Sequence, residues 1–214
     1  MQTISLADAV ALIPDGASLM VGGFMAVGTP ERLMDELVRQ QKRSLTVIAN
    51  DTARPGQGIG KLVSAAAIRK LVVSHIGLNP ETQKQMFEGK IEVELVPQGT
   101  LVERIRSGGY GLGGILTPTG VGTLAEDGKQ VVEIGGKRYL LETAIRADFA
   151  LVQAFQADYL GNLAYALSGR NFNPVMAMAA DTVIAVSENI VPVGVIPPDA
   201  VITPAPLVHY LVTN

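Results

Sequence analysis

Gln98 is the side chain best placed for chemistry in this sequence. It follows residues 91–96, whose pattern is typical of a strand, and it stands between a proline and a glycine. Glutamine is neither a base nor a nucleophile, but its NH2 group can donate to an oxyanion on a substrate carbonyl, which can contribute several kcal/mol. We predict this role for Gln98; the alternative is an amide that only satisfies its own turn. Asn50, after the apolar run 45–49, is a similar but weaker candidate.

No side chain stands out as a nucleophile or a base. The glutamates fall on predicted exposed helix faces or alternate with valine along a strand, and no serine has a histidine and an aspartate near it. There is no cysteine, which excludes disulfides and thiol catalysis, and two histidines leave too few ligands for us to expect a metal site. His75, after a predicted strand, is more typical of a structural hydrogen bond than of a base. The residues alone therefore indicate no nucleophile in this chain.

A glycine-rich connection joins the first buried strand to the helix that follows it. Residues 19–21 form an unbroken apolar run, and Gly22-Gly23 then allow a sharp turn or a close approach to a ligand. Thr29 is a typical N-cap and Pro30 a typical first helical residue, so we expect a helix from Pro30 to about Gln41. A helix N-terminus after a glycine loop suits a phosphate. A tight turn without a ligand explains the glycines equally well.

Composition limits the class of protein. The 214 residues suit one α/β domain, 1–214. Since 48% of them are hydrophobic and 17% charged, there are enough apolar side chains for a large hydrophobic core. No apolar stretch reaches the roughly 20 residues needed to span a bilayer, and the N-terminus lacks a basic region followed by an apolar core, so we expect a cytoplasmic protein without a membrane anchor. A net charge of −3 without a basic stripe argues against nucleic acid as a partner.

Strands and helices alternate through the first half of the chain. We predict helices at 5–12, 61–67, 79–88 and from Thr100, and strands at 45–49, 71–74 and 91–96. Further strands are expected at 148–154 and 182–186, a buried helix at 175–180, and a closing apolar segment at 207–212. Gly135-Gly136 predict a hairpin between 130–134 and 137–141. We expect the glycine-rich segment 108–123 to form an ordered binding loop. The pattern indicates an α/β fold with an open, mostly parallel, doubly wound sheet and a small β-hairpin excursion.

The stretch from Asp15 to Pro30 resembles the signature of the family I coenzyme A-transferases, in the α subunit or the N-terminal half of a fused chain. It has an acidic-Gly start, three apolar residues, Gly-Gly-Phe and Gly-x-Pro. Further strings match in order along nearly the whole chain: 48–53, 74–77, 79–82, 97–101, 117–123, 146–148 and 170–180. Asn50-Asp51-Thr52-Ala53 and the segment 75–82 look most like the acetate or butyrate–acetoacetate branch.

The resemblance implies a function, a partner and a division of roles. The reaction would be ping-pong transfer of CoA between short-chain carboxylic acids, with the nucleophilic glutamate on a β subunit and an α2β2 assembly. The CoA-binding residues would be Gly22, Gly23, Phe24, Met25, Ala26, Val27, Gly28 and Asn50. Gln98 would supply part of the oxyanion hole. No cofactor is implied, because the CoA thioester is a substrate.

Ser187-Glu188-Asn189 resemble the catalytic glutamate motif of the same family, which belongs to the β subunit. Here the triplet follows the last clear predicted strand, near a proline-rich tail, and lacks the expected glycine after it. We interpret it as a coincidence.

Two other functions remain open. A sugar-phosphate isomerase or sensor on a related α/β scaffold would bind its phosphate at the Gly-Gly-Phe helix N-terminus. It would also need a poised base, and the sequence offers none that is convincing. A non-catalytic scaffold chain would explain the missing nucleophile but not the glycine loops.

Overall fold

Strands and helices alternate in the computed structural model, which describes residues 1–213 and has one large sheet and one small one. The strands are β1 (Gln2–Ser5), β2 (Ser18–Val21), β3 (Leu45–Asp51), β4 (Ile68–His75), β5 (Glu92–Leu95), β6 (Gly114–Thr117), β7 (Val131–Ile134), β8 (Lys137–Thr143), β9 (Ala147–Asp158), β10 (Leu163–Ala164), β11 (Ala180–Val191) and β12 (Tyr210–Thr213). The helices are α1 (Leu6–Ala11), α2 (Glu31–Arg39), α3 (Gly60–Ser64), α4 (Pro80–Phe87), α5 (Gln98–Gly109) and α6 (Asn173–Met178). No helix among the described residues is long and apolar enough to cross a membrane.

The large sheet is parallel, in the order β1-β12-β11-β9-β2-β3-β4-β5, with β10 antiparallel to β9 as a side strand. Its two faces bury separate hydrophobic clusters, because successive side chains of a strand point to opposite faces. Leu19 and Val21 of β2 face α1 to α4, whereas Met20 lies in the cluster formed with α5 and α6. Helices therefore cover both faces, and the doubly wound, mostly parallel sheet predicted from the sequence is confirmed.

The small sheet is antiparallel, in the order β6-β8-β7. The predicted hairpin is confirmed, since β7 and β8 pair around Gly135-Gly136. The glycine-rich segment 108–123, predicted as one binding loop, is partly regular: Gly108 and Gly109 end α5, and residues 114–117 form β6. A Cβ at Gly108 would lie 2.0 Å from the carbonyl oxygen of Ile145. Helix α5 therefore packs so closely against the chain before β9 that only glycine fits at position 108, a position predicted to lie in a loop.

Several predicted boundaries are wrong for local reasons. Helix α2 begins at Glu31, with Pro30 as its N-cap and no side-chain capping bond, so Thr29 is not the cap. Helix α5 begins at Gln98 rather than Thr100. Strand β11 extends to Val191 along β9, so the Ser-Glu-Asn triplet lies inside a strand rather than after it. Strand β1 was missed; it pairs with β12 at the edge of the sheet, a contact between the chain ends that local periodicity does not predict.

Candidate active site

A cavity of about 330 Å³ opens where β3, β4 and β5 end. The carboxyl ends of parallel strands share one edge of a sheet, and ligands bind there where the strand order reverses. From β2 the chain proceeds to β3, β4 and β5 on one side, while β9, β11 and β12 lie on the other. The connection after β2 therefore lies at the reversal point. The cavity is lined by Phe24, Met25, Asn50, Asp51, Ser74, His75, Leu78 and Gln98.

Gln98 lies in this cavity at the first position of α5. Its Nε2 donates to Oδ1 of Asn50 at 2.6 Å, and the second hydrogen of the same NH2 group has no acceptor among residues 1–213. The N-terminus of a 12-residue helix adds partial positive charge at the same place. The Gln98 side chain is exposed. One hydrogen of its NH2 group is bonded to Asn50, and the other is available to a ligand.

Asn50 and Asp51 continue the same chain of hydrogen bonds below the surface. Asn50 is fully buried and Asp51 is 6% exposed. Nδ2 of Asn50 donates to Oδ2 of Asp51 at 2.7 Å, and that oxygen also accepts from the backbone N–H of Met25 at 2.9 Å. The other oxygen of Asp51 accepts from the N–H of Ala53 at 2.7 Å. Because both oxygens are engaged, Asp51 links the cavity floor to the glycine loop and is not free to act as a nucleophile.

The tip of the glycine loop is a tight turn. Phe24 and Val27 exchange two backbone hydrogen bonds, of 3.0 and 2.9 Å, and Met25 and Ala26 between them have φ of 49° and 68°. Positive φ at both central residues is the conformation of a type I′ turn. The turn leaves the side chains of Phe24 and Val27 about half exposed, at 47% and 51%. Of the residues predicted to bind CoA, 24–28 are accessible, whereas Gly22, Gly23 and Asn50 lie beneath them.

Two asparagines hold this loop from the opposite side. Asn171 accepts from the N–H of Gly23 and donates to the carbonyl of Val27, at 3.1 and 3.0 Å. Asn173 is fully buried and donates to the carbonyls of Gly28 and Gly169, both at 2.9 Å, while it accepts from the N–H of Gln153. The loop is therefore fixed to α6, β9 and the 3-10 turn Leu167–Arg170.

The start of α2 is occupied by its own chain. Pro30 has no N–H, and the N–H of Glu31 donates to the carbonyl of Thr29. The Glu31 carboxylate accepts from the N–H of Gly58 at 2.7 Å and pairs with Lys61 at 2.6 Å. A carboxylate at this position disfavours a second anion. The structure thus favours a turn without a phosphate at this helix, and it removes the feature on which a sugar-phosphate function depended.

A second depression lies on the Asn173 side of the loop. It is lined in part by Gly28, Gln153, Tyr165 and Glu188. Burial raises the pKa of Tyr165 to about 12, against the opposing effect of its hydrogen bond with Thr203, so this phenol stays protonated near neutral pH. Glu188 is exposed on β11, and its carboxylate makes no hydrogen bond or ion pair with residues 1–213. Among residues 1–213, the depression therefore holds one carboxylate and no group positioned to activate it.

The site residues that sequence reasoning missed are Asp51, Asn171 and Asn173. Each was quoted in a matching string but given no role. A signal was present for Asn173, because an asparagine beside a segment made almost wholly of Ala, Met and Val needs a specific partner when it is buried. Among the described residues, no group of three His, Cys, Asp or Glu is arranged to hold a metal ion.

Comparison with known proteins covers nearly the whole chain. The family model described as "Coenzyme A transferase" matches residues 3–214. The acetate CoA-transferase subunit alpha of Escherichia coli (strain K12) is 50% identical over 211 residues, which are 99% of this chain and 96% of that one. The acetoacetyl-CoA:acetate/butyrate CoA transferase alpha subunit of Clostridium acetobutylicum is 50% identical over 198 residues, 92% of this chain and 91% of that one.

Among solved structures, the acyl-CoA transferase YdiF of E. coli O157:H7, in a thioester complex with CoA, superimposes with a TM-score of 0.88. It is 24% identical to this chain, and the match covers all of this chain and 47% of YdiF. This chain thus spans about half the length of that protein. At this identity the likeness concerns the fold alone.

Proposed function

The chain belongs to the coenzyme A transferase family, and we propose that it is the α subunit of a short-chain acyl-CoA:acetoacetate CoA-transferase. The two relatives at 50% identity are named as alpha subunits that act on acetate, acetoacetyl-CoA or butyrate, and they match over more than nine-tenths of this chain. The observation that carries the proposal is the cavity at Gln98. It offers an amide donor, and its one carboxylate is fully engaged.

The proposed reaction takes its nucleophile from a partner. A glutamate of a β subunit attacks the acyl-CoA carbonyl, the C–S bond breaks, and CoA leaves as the thiolate. The thiolate then attacks the glutamyl carbonyl of the resulting anhydride, which releases the first acid and leaves an enzyme thioester. A second carboxylate attacks that thioester and takes up CoA by the reverse of these steps. This covalent route divides one difficult exchange into easier ones.

This chain contributes to each step by stabilising charge. Every attack on a carbonyl passes through a tetrahedral oxyanion, and the free hydrogen of the Gln98 NH2 group donates to it. The accessible turn at 24–28 forms a wall for CoA, while Gly22, Gly23 and Asn50 shape that wall from beneath. An α2β2 assembly and a cytoplasmic location, where CoA thioesters are made and used, are parts of the proposal.

Reconstitution tests the proposal. The partner is a β-type chain with a Ser-Glu-Asn-Gly motif, which we expect in the neighbouring reading frame. Acetoacetyl-CoA and acetate are supplied, and acetyl-CoA is measured. We expect no turnover from either chain alone and transferase turnover from the mixture. Full activity from this chain alone, or none from the mixture, contradicts the proposal. Thermal shifts with acetyl-CoA, acetoacetyl-CoA and a panel of sugar phosphates test the alternative function directly.

A further inference from the structure

A continuous hydrogen-bond chain connects Asp51 to the donor at Gln98. The carboxylate of Asp51 accepts from Nδ2 of Asn50 at 2.7 Å, and Oδ1 of Asn50 accepts from Nε2 of Gln98 at 2.6 Å. The Ser74 hydroxyl supports Asn50 by donating to its carbonyl at 2.7 Å and to Oδ1 at 3.1 Å. Every member of the chain is a side chain at the carboxyl end of β3 or β4 or at the start of α5.

The charge of Asp51 determines the direction of this chain. A carboxylate can only accept, so the end of the Asn50 amide that faces it must be the NH2 group. Oδ1 of Asn50 then faces Gln98 and can only accept, so Gln98 must present its own NH2 group in turn. The two backbone N–H groups that bind Asp51, from Met25 and Ala53, keep its carboxylate in place.

This direction decides on which side of the Gln98 amide the donor lies. An amide in the opposite orientation would place Oε1 where Nε2 now lies, and an oxygen repels a developing oxyanion. A terminal amide has no intrinsic preference between the two orientations, so a neighbour must select one. Asn50 is fully buried, which fits a residue that acts on another side chain better than one that contacts the substrate.

We propose that Asn50 and Asp51 are positioning residues that fix the Gln98 amide with its NH2 group toward the substrate carbonyl. This inference rests on the proposed function, in which Gln98 stabilises the oxyanion. In this proposal Asn50 acts by orienting Gln98, instead of making the CoA contact predicted from the sequence. Asp51 in turn orients Asn50.

The test is a double-mutant cycle in the reconstituted complex, with Asn50→Asp, Gln98→Ala and the combined variant. Asn50→Asp places two carboxyl groups at hydrogen-bond distance. When both are charged they repel each other, which displaces the side chain at position 50 from Gln98, whereas a proton shared between them at low pH restores the contact. His75 and Asp51 are the titratable groups already lining the cavity, and each rate is expressed relative to the wild-type rate at the same pH. We expect kcat of Asn50→Asp to fall by about tenfold or more at pH 8 and to recover toward pH 6, with KM nearly unchanged.

The combined variant separates an effect through Gln98 from a direct one. If Asn50 acts only through Gln98, adding Asn50→Asp to Gln98→Ala changes kcat by no more than about twofold at either pH. If the two losses multiply, Asn50 acts on the substrate directly and the inference is overturned. A kcat for Asn50→Asp equal to wild type across the range also overturns it.

Two further variants keep the outcome clear. Asn79→Asp is the matched control, since Asn79 is equally buried but caps α4, and we expect its pH profile to follow wild type. Should Asn50→Asp fail to assemble, Asp51→Asn takes its place in the cycle, because it removes the charge without changing size. A wild-type kcat for Asp51→Asn then overturns the inference. An inactive wild-type complex instead rejects the proposed function, and this inference with it.

Discussion

The two sides of the loop 22–28 use side-chain amides in opposite ways. On the Asn173 side, both ends of each asparagine amide are bonded to backbone groups. The partners of Asn171 are Gly23, Val27, Ser168 and Phe172. Those of Asn173 are Gly28, Gln153 and Gly169. On the Gln98 side, the chain of amides ends in one N–H group without an acceptor among residues 1–213. A saturated amide stabilises structure, whereas an unsaturated one beside a cavity remains available for a ligand. The difference predicts loss of stability on one side and loss of turnover on the other.

The largest effect on turnover is expected from Gln98→Ala. We expect kcat of the reconstituted complex to fall by about 10²–10³, the scale for losing one oxyanion donor. Gln98→Glu should be slower still, because a carboxylate repels the developing charge. The thermal midpoint of both variants should stay close to that of wild type, since the side chain is exposed. If Gln98→Ala keeps more than about a third of wild-type turnover, under 1 kcal/mol of barrier, the oxyanion role is wrong.

Asn173→Ala should show the opposite pattern. It leaves the carbonyls of Gly28 and Gly169 and the N–H of Gln153 without their partner in a buried position, so we expect unfolding to become easier by about 2–3 kcal/mol. Displacement of the loop should raise KM for acyl-CoA more than it lowers kcat. Denaturant unfolding and steady-state kinetics measure the two effects.

The control for Asn173→Ala is Asn189→Ala, at an exposed position of β11. Within the described part of the chain, the Asn189 side chain makes a single hydrogen bond, to the carbonyl of Phe155 at 3.1 Å, so its loss should change stability by less than about 0.5 kcal/mol. Equal losses of stability in the two variants would mean that Asn173 does not hold the loop.

A third prediction couples the loop to its support and concerns Gly22. A Cβ at Gly22 would lie 1.8 Å from Oδ1 of Asn173, which its other bonds hold in place. Gly22→Ala should therefore be destabilising in the wild type but nearly neutral in the Asn173→Ala background. We expect a coupling free energy of about 1–2 kcal/mol from the double-mutant cycle in denaturant unfolding. Additive losses would show that Gly22 is required for another reason.

The sequence could predict the features that depend on neighbouring residues, but not those that depend on contacts between distant ones. The sheet, the hairpin and the position of Gln98 after a strand follow from local patterns, because apolar runs, turn residues and strand ends are short-range signals. The hydrogen bond of Asn173 with Gly28 and its close packing on Gly22 join positions about 150 residues apart, which no local pattern predicts. The same holds for Gly108, which packs against Ile145 but was predicted as part of an ordered binding loop. Contacts of this kind are decided by tertiary packing.

The smallest effect is expected from Glu188→Gln, and it tests whether the Asn173 side holds any chemistry. Glu188 is the one residue on that side whose sequence context suggests a nucleophile. A nucleophilic carboxylate needs neighbours that orient it, yet the carboxylate of Glu188 is exposed and makes no hydrogen bond or ion pair with residues 1–213. Tyr165 in the same depression is a protonated phenol and offers no base. We therefore expect Glu188→Gln to change kcat of the reconstituted complex by less than about twofold, or 0.4 kcal/mol of barrier. Hydroxylamine trapping of the thioester intermediate would show the labelled glutamate in the β chain. Loss of turnover in Glu188→Gln, or trapping of Glu188 itself, would move the nucleophile into this chain and reverse the assignment of the two sides.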